Sequence, residues 1–129
     1  MKIYTAHNFA ARKYLRDHII PQLEALGHKV IARWATEPDH DKEGLNNECV
    51  KDIQDLSQCD AILLFTDNFG DRPGRGKYVE LGYALAQNKL IFLFGEADDC
   101  VFYHLPGVKR ITNLNEIGWG IYGTNAGSD

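Results

Sequence analysis

The chain of 129 residues has little that suits secretion, a membrane or a nucleic acid polymer. It has three cysteines and no Cys-x-x-Cys pair, so it lacks an even disulfide framework. Its formal net charge is -4, whereas a surface for DNA or RNA needs a basic stripe. No apolar run approaches the roughly 20 residues of a membrane span, and the N-terminus lacks the apolar core of a signal peptide. We therefore expect a cytoplasmic protein that binds neither nucleic acid polymers nor membranes.

Several familiar site motifs are also missing. The five histidines show no His-Glu-x-x-His or Cys/His spacing, which argues against a bound metal. The sequence has no Gly-x-Gly-x-x-Gly fingerprint, no Walker lysine motif and no Gly-x-Ser-x-Gly elbow. We therefore expect no metal and no cofactor.

The composition is that of an ordinary globular protein. Hydrophobic residues make up 44% of the chain and charged residues 25%, which allows a sizeable core at this length. We predict one domain over residues 1–122 and a flexible tail over residues 123–129.

Apolar segments alternate with helical patterns along the chain. We predict strands at residues 2–6, 29–34, 61–65, 90–94 and 108–112. We predict helices over 9–26, with a kink or break at Pro21, over 45–57 and after Gly76. The inner face of the 45–57 helix is predicted to carry Cys49, Val50, Ile53 and Leu56. The alternation implies an α/β fold, a doubly wound, flavodoxin-like or Rossmann-like parallel sheet of order 2-1-3-4-5.

In such a sheet small molecules bind where the strand order reverses, between the ends of strands one and three. Three segments meet there: the loops after these two strands and the start of the helix that contains Glu80. Their polar and glycine residues are the candidate binding residues: His7, Asn8, Asp67, Gly74, Arg75 and Gly76. The glycines let a ligand approach the backbone closely, and Arg75 can pair with a phosphate.

Two carboxylates are candidates for chemistry. Glu80 lies in the first turn of its helix, where the helix dipole favours a negative charge. A structural role as a dipole partner and a catalytic role both remain open on this ground. Asp52 lies at the edge of the predicted apolar stripe of the second helix, which is equally compatible with a solvated side chain.

Three segments give the chain a family likeness. They are the opening Lys2-Ile3-Tyr4, Asp52 ahead of the strand start Cys59-Asp60-Ala61, and Gly76-Lys77-Tyr78-Val79-Glu80-Leu81-Gly82-Tyr83-Ala84. From Lys2 to about Pro106 the chain resembles the nucleoside 2-deoxyribosyltransferase superfamily. That superfamily also contains the deoxynucleoside 5'-monophosphate N-hydrolases.

The resemblance implies a role for each of these residues. Glu80 is implied as the nucleophile that attacks C1' of a 2'-deoxyribosyl group and forms a covalent glycosyl-enzyme. Asp52 is implied to orient Glu80 and contact the sugar hydroxyls, and Tyr4 to fix Glu80 by a hydrogen bond. The resemblance also implies a homodimer or higher homo-oligomer in which a residue after the fourth strand completes the neighbour's site. His104 is the candidate for that residue.

The reaction itself is open at one position. Gly74 stands where the family transferases carry an aspartate that reads the leaving base and where the hydrolases carry a serine for the 5'-phosphate. Our first expectation is transfer of the deoxyribosyl group of a deoxynucleoside to another base. Hydrolysis of a deoxynucleoside 5'-monophosphate is the alternative, and Arg75 favours a phosphate. A non-catalytic nucleotide-binding sensor and an interaction domain with a vestigial pocket are the remaining alternatives.

Overall fold

The computed structural model describes residues 1–37, 45–68 and 74–119. Five parallel strands form one sheet of order β2-β1-β3-β4-β5. The strands are β1 (Lys2–Ala6), β2 (Lys29–Val30), β3 (Ala61–Phe65), β4 (Leu90–Phe94) and β5 (Val108–Ile111). The predicted α/β class and strand order are therefore confirmed.

Helices connect the successive strands. They are α1 (residues 9–25), α2 (Arg33–Thr36), α3 (Leu45–Gln58) and α4 (Gly76–Ala86), with short 3-10 helices at Val101–His104 and Leu114–Glu116. The predicted domain end at residue 122 and the tail 123–129 lie outside the described residues. In the ranges that are described, no helix has the length and apolar character that crossing a membrane requires.

The two central strands, β3 and β4, are apolar throughout. All five side chains of β3 are buried, as are the middle three of β4. A strand covered on both faces needs a continuous apolar run rather than an alternating one. This requirement explains why these two strands have the bounds that the sequence predicted.

The second strand is shorter than predicted, because the chain turns into α2 instead of continuing to residue 34. Arg33 donates from its backbone N–H and from Nε to the carboxylate of Asp55, at 2.8 and 3.0 Å. The indole Nε1 of Trp34 donates to the carbonyl oxygen of Thr5 at 2.8 Å. These contacts with α3 and β1 outweigh the local apolar pattern that suggested a longer strand.

Helix α3 presents a more polar face to the protein than predicted. Leu56 is buried as expected, whereas the other three predicted inner residues are exposed: Cys49, Val50 and Ile53. Asp55 is buried beside Leu56 because Arg33 supplies its ion-pair partner. The helix is therefore rotated so that carboxylates, including the half-buried Asp52, lie toward β1 and α4.

Helix α1 changes its winding ahead of Pro21 rather than breaking there. A π-helical turn at Leu15–Ile19 separates the α-helical pieces Arg12–Tyr14 and Ile20–Ala25. Proline has no N–H, so one regular helical hydrogen bond is missing at this point. Gly27 follows the helix with a φ of +91°, a conformation that favours glycine at a helix end.

Candidate active site

Tyr4 and Glu80 meet at the crevice between β1 and β3, where the strand order reverses. Tyr4 lies in β1 with no exposed surface, and its hydroxyl donates a hydrogen bond to Oε2 of Glu80 in α4. Asp52 lies close enough to this pair for its charge to raise the pKa of both groups. The structure thus brings together the three residues that the resemblance implied as catalytic.

Burial is the main cause of the pKa shifts of Glu80, Asp52 and Tyr4. It raises the pKa of Glu80 to about 8; the hydrogen bond from Tyr4 opposes the rise and the charge of Asp52 adds to it. Burial also raises the pKa of Asp52 to about 6, with the charges of Glu48 and Asp55 adding to the rise. The pKa of the Tyr4 hydroxyl lies far above its ordinary value, again mainly through burial. Tyr4 is therefore a permanent hydrogen-bond donor at neutral pH.

Asp52 has a carboxylate oxygen, Oδ1, that is buried in the described structure. Among the residues that the structure describes, Oδ1 of Asp52 has no partner. Native proteins usually satisfy such atoms, and an unsatisfied one beside a crevice suits a ligand that brings a hydroxyl or N–H donor. The site thus combines one carboxylate oxygen without a partner among the described residues and a second carboxylate that is held by a tyrosine.

The backbone of Gly74 lies directly against Asn8. A Cβ atom at position 74 would lie 2.3 Å from Oδ1 of Asn8 and 3.2 Å from its Cα. Asn8 is itself 4% exposed, so it cannot move freely out of the way. Close packing therefore favours glycine here, because Asn8 fills the space that a side chain at position 74 would take.

His7 is a neutral, fixed ring at the end of β1. It stacks on Phe65 with 4.7 Å between ring centroids and 12° between planes. Its Nδ1 accepts the backbone N–H of Asn8 at 2.7 Å, so in the neutral ring the proton is on Nε2. Burial and the charge of Lys77 lower its pKa to about 4, and the ring is uncharged at neutral pH.

An aromatic cavity of about 280 Å³ opens beside His7. Its described lining residues are His7, Tyr14, Phe65, Asp67, Asn68 and Phe94. Phe65 and Phe94 are register partners in β3 and β4 and project to one face of the sheet, opposite to the face of Tyr4 and its partner Ile62. The cavity and the Tyr4–Glu80 pair therefore lie on opposite faces of the sheet.

Asp67 lies at this cavity but already holds the loop after β4. Its carboxylate accepts the backbone N–H of Ala97 at 2.9 Å and that of Glu96 at 3.3 Å. Gly95 allows this turn with a φ of +122°, and a Cβ there would lie 2.4 Å from Oγ1 of Thr66. Asp67 thus has a structural function in addition to its position at the cavity.

Three other sequence candidates are exposed to solvent. Arg75 and Gly76 are exposed at the N-terminus of α4. His104 is exposed after β4, and its Nε2 lies 2.7 Å from Oδ1 of Asp98. The structure pairs His104 with its own loop rather than with Tyr4, and its implied role at a neighbour's site stays a prediction.

Lys77 is the residue that the sequence analysis missed. It is 1% exposed, and its Nζ donates to backbone and side-chain oxygens that follow β3. Lysine is usually a surface residue, and nothing in the local pattern distinguishes this one.

In the described parts of the chain, no group of three or more His, Cys, Asp or Glu residues could hold a metal ion.

One protein family matches the sequence of this chain, and solved structures match its fold. A family model described as nucleoside 2-deoxyribosyltransferase matches residues 3–119. A 2-deoxyribosyltransferase from the psychrotolerant bacterium Bacillus psychrosaccharolyticus has the same fold, with a TM-score of 0.67 and 20% identity, over 95% of this chain and 96% of that chain. A 2-desoxiribosyltransferase from Leishmania mexicana gives a TM-score of 0.59 and 24% identity, over 72% of this chain and 63% of that chain. No curated protein matches the sequence significantly.

Replacing Gly74 tests its packing against Asn8. Gly74→Ser should lower the free energy of unfolding by about 1–3 kcal/mol, because the new Cβ overlaps Asn8. Asn8→Ala in the same chain should recover part of that loss, so that the two changes are not additive in urea denaturation. Gly82→Ser is the matched control, since a Cβ there meets nothing within 4 Å. Additive effects of the Gly74 and Asn8 changes would contradict the packing argument.

Glu80 should make stability depend on pH. Its folded-state pKa of about 8 exceeds the ordinary value of 4.5, so between about pH 5 and 8 the folded chain keeps a proton that the unfolded chain has released. The contribution of Glu80 to the free energy of unfolding is complete below this window and declines as the pH rises through it. Glu80→Gln should flatten the decline in urea titrations at pH 5, 6.5 and 8, whereas Glu96→Gln, an exposed control, should not. Equal slopes in all three proteins would refute the shift.

Proposed function

Because the chain belongs to the nucleoside 2-deoxyribosyltransferase family, we propose that it cleaves the N-glycosidic bond of a 2'-deoxynucleoside and transfers the deoxyribosyl group to another base. The observation that carries this proposal is the hydrogen bond of buried Tyr4 to half-buried Glu80, with Asp52 nearby, at the switch point of the sheet. A fixed carboxylate in a poorly hydrated crevice suits attack on a sugar carbon that becomes electron-poor.

The reaction has two displacement steps. In the first, an oxygen of ionised Glu80 bonds to C1' while the C1'–N bond breaks, and the electron pair leaves with the base, which takes up one proton. In the second, a nitrogen of another base attacks C1', the ester bond to Glu80 breaks, and the incoming base loses its proton. Two inversions restore the original configuration at C1', and the carboxylate of Glu80 is regenerated.

Tyr4 and Asp52 support this chemistry in different ways. The hydroxyl of Tyr4 holds Oε2 of Glu80 and leaves Oε1 to attack, so the orientation of the nucleophile is set before the substrate binds. Asp52 places a second negative charge near the sugar carbon as that carbon becomes positive. Its buried Oδ1, without a partner in the described residues, is available to a sugar hydroxyl.

Hydrolysis of a deoxynucleoside 5'-monophosphate is the second candidate. The observation that favours it is Arg75, which lies exposed at the N-terminus of the 11-residue helix α4. Free backbone N–H groups and a guanidinium at one helix end form a suitable surface for a phosphate. Position 74 offers no side chain for either reaction, so base and phosphate recognition depend on its neighbours Asn8 and Arg75.

The proposed reaction is tested with a panel of deoxynucleosides and their 5'-monophosphates, with and without free adenine. Chromatography should show release of the free base and a new nucleoside when adenine is present; free sugar or sugar phosphate alone would mean hydrolysis. Glu80→Gln should lose at least about a thousandfold in turnover, because it cannot form the ester, and Glu96→Gln should retain wild-type turnover. Activity of Glu80→Gln above a tenth of wild type would eliminate Glu80 as the nucleophile. Thermal stabilisation without turnover would identify a sensor.

We also propose that the chain acts as a homo-oligomer in the cytoplasm. All three cysteines are free thiols, which suits a reducing compartment. Val50 and Ile53 on α3 and Val79 on α4 are large apolar side chains exposed to solvent, and helices α3 and α4 contact each other. A second copy of the chain that covers these residues would remove this apolar surface from water.

Light scattering after size-exclusion chromatography tests this assembly. The wild type should have the mass of a dimer or a larger oligomer, and Ile53→Glu should lower that mass by placing a charge in the contact. Leu26→Glu is the matched control, because Leu26 is similarly exposed directly after α1, and its replacement should leave the mass unchanged. A monomeric wild type would overturn the proposal.

A further inference from the structure

Lys77 is a lysine in an almost fully buried position. Its exposed fraction is 1%, which places it among the largest fully buried side chains of the protein. Removing an ammonium from water is unfavourable unless hydrogen bonds replace the lost hydration. Burial accordingly lowers the pKa of Lys77, while the charges of Asp99 and Asp67 oppose the fall. The free-energy cost of burying Lys77 must therefore be offset by contacts of its ammonium group.

The ammonium is satisfied by three oxygens at the carboxyl end of β3. Nζ donates to the carbonyl oxygens of Phe65 and Thr66 at 3.1 and 3.2 Å, and to Oδ1 of Asn68 at 3.2 Å. An ammonium has three donors, so these contacts use all of them. The acceptors are neutral, so the contact acts as a directional clamp between α4 and the chain after β3.

The carbonyl groups that Lys77 binds lie where the sheet ends. The pairing of β1 with β3 stops at Leu64, which is the partner of Ala6, so β1 offers no ladder donor beyond that point. The first turn of α4 takes over this function. Its N-cap residue, Arg75, has helical φ and ψ angles and no side-chain capping hydrogen bond. The start of the helix is therefore fixed through Lys77 rather than through a cap.

Lys77 and Glu80 are three residues apart and lie on neighbouring positions of one helix face. The contacts of Lys77 hold the first turn of α4, so they also set the height and rotation of Glu80 above the sheet. The hydroxyl of Tyr4 reaches Glu80 from β1, so both ends of that hydrogen bond are fixed to the sheet, one directly and one through Lys77.

We propose that Lys77 is a positioning residue for the reaction, which clamps the first turn of α4 to the carboxyl end of β3 and so holds the carboxylate of Glu80 against Tyr4. This inference rests on the proposed function, in which Glu80 is the nucleophile. Lys77 itself does not contact the reacting atoms. A small displacement of a nucleophile from its attack geometry lowers the rate of the chemical step more than it lowers substrate affinity.

Lys77→Met removes the three donors and keeps most of the side-chain length. In the folded variant kcat should fall by about 10- to 100-fold while KM changes by less than about threefold. Lys89→Met is the matched control. Lys89 follows the C-terminal end of α4, and its Nζ also donates to a backbone carbonyl oxygen, that of Ser57 in α3. It should retain the wild-type kcat and KM.

A second readout does not depend on turnover. The titration of Glu80 can be followed by NMR of ¹³C-labelled glutamate carboxyl groups, with Glu80→Gln to assign the signal. The groups that face Glu80 are Tyr4 from β1 and Asp52 from α3, and burial keeps its midpoint near pH 8 in the wild type. Lys77→Met should move the midpoint down toward the ordinary value of 4.5, because a released turn exposes the carboxylate to water. Lys89→Met should leave it in place.

The outcomes separate this inference from the proposed function. If the wild type releases no base but Lys77→Met moves the Glu80 titration, the reaction is refuted and the clamp is supported. If the wild type is active and the folded Lys77→Met variant has the wild-type kcat and Glu80 titration, the positioning role of Lys77 is refuted and the proposed reaction stands. Should Lys77→Met not fold, Asn68→Ala removes one acceptor and decides the question: a smaller fall in kcat in the same direction supports the clamp, and unchanged kcat and titration overturn it.

Discussion

The hydrogen bond from Tyr4 to Glu80 is the contact on which the rest of this site depends. It joins the first strand to the helix after the third, across the crevice where the strand order reverses. A carboxylate in that position loses most of its hydration, and its pKa rises to about 8 as a consequence. The surrounding residues either limit that cost or make use of it, as Tyr4 does by donating to the charged form.

The same problem of buried charge recurs in the two elements that flank the site. Asp55 is buried on α3 and is bound by Arg33, and this ion pair redirects the chain after β2 into α2. Lys77 is buried on α4 and is satisfied by oxygens at the end of β3. Both side chains have found partners on another element, and both fix the position of a helix that contributes a carboxylate to the crevice. Buried polar contacts thus position the helices at this end of the sheet, whereas apolar packing fills its centre.

Close contacts at two glycines hold the loops at the crevice in position. Gly74 lies against Asn8, and Gly95 lies against Thr66 and Asp67, so closely that a Cβ atom at either glycine would displace these neighbours. These contacts tie the loop after β1 to the segment before α4, and the loop after β3 to the loop after β4. Asn8 is thereby held in place by the backbone of Gly74, as His7 is by its stacking on Phe65.

The α/β class and the strand order, and with them the switch point between β1 and β3, follow from the sequence, because continuous apolar runs must be buried on both faces and parallel strands require crossover helices. The family motif, read through resemblance, also singled out Tyr4, Asp52 and Glu80. Which polar groups lie inside depends on contacts that form only in the folded chain. The sequence pattern placed Ile53 in the core and gave no reason to bury Lys77, whereas the fold does the reverse. The physical reason is that the cost of burying a charge depends on partners that lie far away in the chain, and local patterns do not contain them.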